Sequence, residues 1–206
     1  LVTGVQTCAL PICITAVNFY DGQGFLVKKS LKAKSVKDLA GATVCMLQGS
    51  THELNLVDWM KENNVQLQTV LLDTTDVLIK TFLSGRCDVA SSDGSNLASI
   101  RATGVPDPDQ YEILPEFISK EPLGPMVRRA DDQWADIVKW SILAMIEAEE
   151  LGVTSANAER MLAESKNPNV QRLLGKAGEF GKLMGVDNAW AYNVIRQVGN
   201  YGEAFE

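Results

Sequence analysis

The chain has 206 residues, a formal net charge of −7, and a composition that is 46% hydrophobic and 22% charged. That suffices for one sizeable or two small packed domains and excludes a disordered, low-complexity chain. Basic residues are scattered, with Lys28-Lys29 and Arg128-Arg129 only pairs, so nucleic acid and anionic membranes find no basic stripe. No apolar run approaches the ~20 residues that span a bilayer.

In chain order, residues 1–13 are set aside first. Val2 to Ile12 resembles the translation of a sequencing adapter, so the chain reads as a fragment with a non-native leader. Ile14 to Tyr20 reads as a strand, Asp21-Gly22-Gln23-Gly24 as a turn or crossing, and Phe25 to Val27 as a strand again. Ser35 is placed to cap a short helical turn that ends by Gly41. Ala42 to Leu47 is an apolar strand, followed by a helix from about Ser50 to Glu62 with Leu54, Val57 and Met60 inward. Val65 to Leu72 is the next strand. A helix capped by Thr74 or Thr75 runs to Leu83, with Val77, Leu78 and Phe82 inward. Gly85 stops it, and Cys87 to Ser91 is a strand. Alternating strands and helices with brief connections predict an α/β fold with a parallel sheet.

A helix over Asn96–Ala102, a loop to Gln110, and strands at Tyr111–Leu114 and Gly124–Val127 follow. From Asp131 the chain turns to long helix, with Trp134, Ile137, Val138, Ile142 and Met145 as its apolar face. Further helices start at Thr154, Asn167-Pro168 and Asp187, the last with Trp190, Val194, Ile195 and Val198 on one face. These amphipathic helices have little sheet of their own to cover.

Chemistry concentrates at two strand ends, where open α/β sheets bind ligands. Leu47-Gln48-Gly49-Ser50-Thr51-His52 joins a strand to a helix start, and its free N–H groups and hydroxyls suit an anion. Ser50 with Glu53 also fits an ordinary capping box. Asp93, after the strand at Cys87, suits a cation, or equally a helix cap. Cys45 and Cys87 are either one disulfide or two reduced thiols. One Cys pair with one His cannot make a four-ligand zinc site, and no metal or cofactor is expected. No nucleophile elbow stands in the sequence, which speaks against an enzyme.

Several runs together resemble one family. They are Tyr20-Asp21-Gly22-Gln23-Gly24-Phe25, Cys45, Leu47-Gln48-Gly49-Ser50-Thr51, Gly85-Arg86-Cys87-Asp88-Val89 with Asp93, and the Trp190-Ala191-Tyr192-Asn193 segment. In order and spacing they resemble amino-acid-binding proteins of ABC importers, which have the type II periplasmic-binding-protein fold, and most of all the general L-amino-acid-binding subgroup. The resemblance implies two α/β lobes with a free L-amino acid in the cleft, and a monomer that delivers it to the membrane subunits of a permease. It places the protein in the periplasm, with a signal peptide on the full-length parent.

On that template residues 14–24 hold a strand and the first hinge crossing (Tyr20, Asp21, Gly22, Gln23, Gly24). Residues 25–121 form the second lobe, 122–127 the return hinge with Gly124 and Pro125, and 128–206 the C-terminal helices of a truncated first lobe. The implied ligand contacts are Ser50 and Thr51 on the carboxylate, Asp93 on the α-ammonium, and Leu47 and His52 on the side chain. The family often has Gln at the Leu47 position, and an amide or hydroxyl at that of His52. It also implies a Cys45–Cys87 bridge closing 42 residues, worth about 4 kcal/mol in the chain-entropy model. The family's carboxylate-clamping Arg precedes the first crossing and has no match here, so this chain alone is expected to bind weakly. A receptor's extracellular ligand-sensing domain and a dehydratase-like enzyme are the alternatives on this fold.

Overall fold

A computed structural model describes residues 12–205, which divide into two compact units. One comprises residues 12–18 and 124–205, the other Phe19–Leu123. Most of the expected leader lies outside the described residues. Its last two residues, Ile12 and Cys13, are not excluded from the fold. They belong to strand β1 (Ile12–Ile14) and oppose Arg128 and Val127.

The Phe19–Leu123 unit opens with a short strand, β2 (Phe19–Asp21), and then β3 (Gln23–Lys28). The strand expected over 14–20 is therefore split in two. Ser35 caps a 3-10 turn over Val36–Leu39 in a capping box with Asp38. Next come β4 (Thr43–Leu47), α1 (Thr51–Asn63), β5 (Gln68–Leu72), α2 (Thr75–Leu83), β6 (Val89–Asp93), α3 (Gly94–Ser99) and β7 (Tyr111–Ile113). The helix expected over 96–102 starts two residues early and continues as a π turn over Ile100–Gly104.

Five strands form one sheet in the order β5-β4-β6-β3-β7. β4 runs parallel to β5 and β6, because a helix carries each crossover between them. β3 is antiparallel to both β6 and β7, so the sheet is mixed rather than parallel throughout. Hydrophobic patterning identifies strands but carries no direction for β3, which has no helical crossover to its neighbours.

Side chains alternate across the pleat and build a core on each face. Phe25, Val27, Val44, Met46 and Leu56 pack on one side. Leu26, Cys45, Leu78, Phe82 and Leu97 pack on the other. Two of the helices on the sheet, α1 and α2, depart in part from the expected phase. In α1 the buried residues are His52 and Leu56, while Leu54 is 71% exposed and Val57 is exposed. In α2 Leu78 and Phe82 are buried as expected, and Val77 is exposed.

β8 (Glu121–Leu123) closes this unit by pairing antiparallel with β2, setting Leu123 opposite Phe19. In the other unit β9 (Met126–Arg128) pairs with β1. Helices follow: α4 (Asp132–Glu150), α5 (Ala158–Glu164), α6 (Pro168–Leu173), α7 (Phe180–Leu183), α8 (Trp190–Val198) and α9 (Tyr201–Phe205). Their core is Ala148, Val153, Ala158, Val170, Leu174 and Ile195. Trp134 and Val198, expected inward, are exposed, and α4 instead buries Ala144 and Ala148. No helix among the described residues is long and apolar enough to cross a membrane.

Candidate functional site

Strand β4 delivers the chain to the start of α1 through Gln48, Gly49 and Ser50. Gly49 has φ +72°, the left-handed region that favours glycine, with open space where a Cβ would stand. The requirement there is conformational, not steric. Glu53 accepts from the Gly49 N–H at 2.5 Å, and the Ser50 hydroxyl donates back to the Leu47 carbonyl at 2.7 Å. The Ser50–Glu53 capping box does not form, and the Ser50 side chain makes no cap bond. The first N–H groups of a helix have no intrahelical acceptor, so the start of α1 keeps its appetite for an anion. Thr51 is exposed there, and Leu47 is half-buried beside it.

Asp93 ends β6 at the N-cap position of α3, yet its side chain makes no cap bond. Asp21 takes that role from the neighbouring segment. Its Oδ2 accepts from the Ser95 N–H at 3.1 Å and its Oδ1 from the Gly22 N–H at 2.8 Å. Partial burial pushes the Asp21 carboxyl upward. Hydrogen bonds from the Ser95 hydroxyl and the Gly22, Ser95 and Gly94 N–H groups outweigh it and hold the carboxyl below its ordinary value.

Asp93 turns instead to α1. Its Oδ1 lies 3.1 Å from Nε2 of His52, a residue only 7% exposed. The His52 ring is thus packed inside the unit. Gln23, opposite Asp93 in the β3–β6 register, is fully buried. Its Nε2 donates to the His52 carbonyl (3.2 Å) and to Ser91 Oγ (3.0 Å), and Ser91 donates to the Gly24 carbonyl. The start of α1 and the end of β6 are therefore joined by a buried polar cluster. Its centre, Gln23, was read from sequence only as a crossing residue. A Gln heading an apolar strand was the available signal.

The remaining crossing residues are placed as follows. Tyr20 and Asp21 lie in β2, Gly24 lies in β3, and Gly22 lies between the two strands. A Cβ on Gly22 would meet the Ser119 carbonyl at 2.5 Å. Ser119 accepts from the Gln23 N–H and donates to Glu121, which also accepts from Asn55 of α1. Gly124 and Pro125 lie in the other unit, between β8 and β9. A Cβ on Gly124 would fall 1.8 Å from the Ala16 carbonyl. Cys45 and Cys87 form a disulfide, tying β4 to the segment that leads into β6 and Asp93. Among the described residues no cluster of three metal-ligating side chains occurs.

No family model matches the chain. Several curated relatives match nearly all of it. It is 49% identical over 197 residues to the glutamate/glutamine/aspartate/asparagine-binding protein BztA of Rhodobacter capsulatus, covering 96% of this chain and 58% of that protein. It is 48% identical over 200 residues to the general L-amino acid-binding periplasmic protein AapJ of Rhizobium johnstonii, with the same coverage. This chain is a homologue of amino-acid-binding proteins of ABC transporters. Among solved structures, an ABC-transporter periplasmic binding protein of Brucella ovis with glutathione bound superposes with a TM-score of 0.92. It is 39% identical, over 97% of this homologue and 63% of that chain. The fold is therefore the α/β fold of type II periplasmic binding proteins. The homologue spans somewhat under two thirds of the length of these relatives.

Proposed function

We propose that this chain is the larger part of the solute-binding component of an ABC-type importer, and that it binds the zwitterionic head of a free L-amino acid. Asp93 receives the α-ammonium. The start of α1, with Ser50 and Thr51, receives the α-carboxylate, and Leu47 flanks the ligand side chain. Tyr20–Gly24 and Gly124-Pro125 serve as hinge segments. The partners are then the membrane subunits of a permease, the compartment is the periplasm, and the protein works as a monomer without catalysis.

The observation that carries this reading is Asp93. A carboxylate at an N-cap position that leaves capping to Asp21 is held for another cation. The His52 contact sets it beside a helix start that attracts anions, so one strand edge offers both charges of a zwitterion. The relatives point the same way, since two are amino-acid-binding proteins by name. Glutathione, bound to the Brucella protein, also carries a free α-ammonium and α-carboxylate on its glutamyl end.

A thermal-shift screen of the twenty L-amino acids and glutathione tests the reading. At a ligand concentration ten times Kd the folded state gains about 1.4 kcal/mol, or a rise in Tm of about 3–5 °C for a chain of this size. The rise is expected only at millimolar ligand, because this chain spans less than two thirds of the length of its relatives. No shift with any of them rejects the amino-acid reading.

A further inference from the structure

The buried cluster around His52 gives the ring a definite role. An ionised carboxylate only accepts, so the 3.1 Å contact with Asp93 requires that Nε2 carry the proton. In the neutral ring Nδ1 is then the lone-pair nitrogen. Among the described residues Nδ1 is buried without a hydrogen-bond partner, as is the Gln23 carbonyl oxygen Oε1. A buried N–H without an acceptor is costly, so the unpartnered Nδ1 agrees with an unprotonated nitrogen there. Gln23 fixes the backbone beneath the ring through the His52 carbonyl. Asp93 Oδ1 is consequently committed to His52. Among the described residues no donor is placed on Oδ2, and the Asp93 side chain is 34% exposed.

We infer that His52 is a positioning residue. Its Nε2–H holds Oδ1 of Asp93 so that Oδ2 is presented to the ligand's ammonium, and the ring itself does not touch the ligand. The inference rests on the amino-acid reading above and deepens it, because it assigns the discrimination between an ammonium and its absence to a pair of residues. A ligand of the same shape without the ammonium gains nothing from that pair.

His52 is the sole histidine of the chain, so its ring signals need no assignment by mutation. Long-range proton–nitrogen NMR on the chain is expected to show the Nε2–H tautomer with a protected Nε2–H. Asp93→Ala should abolish that protection. An Nδ1–H tautomer, or ring signals indifferent to Asp93→Ala, overturns the inference without reference to any ligand.

The second arm titrates L-glutamate against glutarate, which lacks only the ammonium, and follows amide shifts. The wild-type chain is expected to prefer L-glutamate at least tenfold. His52→Gln, whose amide N–H stands near the Nε2 position, should keep that preference. His52→Leu should lose most of it with glutarate affinity unchanged. An undiminished preference in His52→Leu, or an equal loss for both probes, overturns the positioning role. A silent response to both probes counts against the amino-acid reading, and the tautomer result then decides the inference about His52.

Discussion

Asp21 and Asp93 approach one helix start and divide the work between them. The cap belongs to Asp21, reached from β2, and this frees the residue that stands in the cap position by sequence. Asp21→Asn leaves one oxygen for the Gly22 and Ser95 N–H groups and should cost about 1 kcal/mol, the usual net worth of a hydrogen bond. Its effect on acid stability has a definite sign. A carboxyl held below its ordinary value in the folded state adds stability above the unfolded-state value, and that stability is lost as pH falls through the folded-state value. Urea unfolding from pH 7 to pH 3 should therefore show a shallower acid decline in Asp21→Asn than in the wild type. An identical decline would mean that the hydrogen bonds to Asp21 are not populated in solution.

Helix α1 shows how far patterning reaches and where it stops. Its boundaries were legible to within one residue from Ser50, Asn63 and Asn64. Its inward face was not, because Leu54, Leu56, Val57, Trp59 and Met60 surround most of the cylinder and leave the phase undetermined. The true face runs His52–Leu56–Met60, one residue per turn, and begins on a polar side chain. That same side chain belongs to the site, so one ambiguity hid both the packing and the chemistry. The pairing of Cys45 with Cys87 came from resemblance, whereas alternation of strands and helices pointed to the parallel run of β4, β5 and β6. Leu56→Ala should cost about 2–5 kcal/mol, as a buried Leu does. Leu54→Ala should stay within about 0.5 kcal/mol. Urea midpoints of the two variants check the phase directly, and equal losses would contradict it.

At the scale of the molecule the two units differ in self-sufficiency. Residues Phe19–Leu123 contain a five-stranded sheet with a core on each face, both members of the disulfide and the His52–Asp93 cluster. The helical unit has one small core, while Trp134, Trp140, Phe180 and Leu183 stay exposed. We expect residues 19–123 expressed alone to unfold in a single cooperative transition. Reduction should lower its stability by about 4 kcal/mol, the loop-closure value for 42 residues. A broad transition, or one indifferent to reductant, would place the stabilising contacts elsewhere.

The β2–β8 pair also shortens the loop that β1 and β9 must close. Thr15 bonds to the Pro125 carbonyl 110 residues further along, so just over half the chain separates β1 from its partner β9. Closing that loop in an unstructured chain is slow and entropically costly. Once Phe19 and Leu123 are paired, the same closure spans only a few free residues at each side. By the logarithmic loop law this removes about 2 kcal/mol from the entropic barrier. The inserted unit thus acts as a splint for its host: with Phe19 held opposite Leu123, β1 and β9 have only a short span to close.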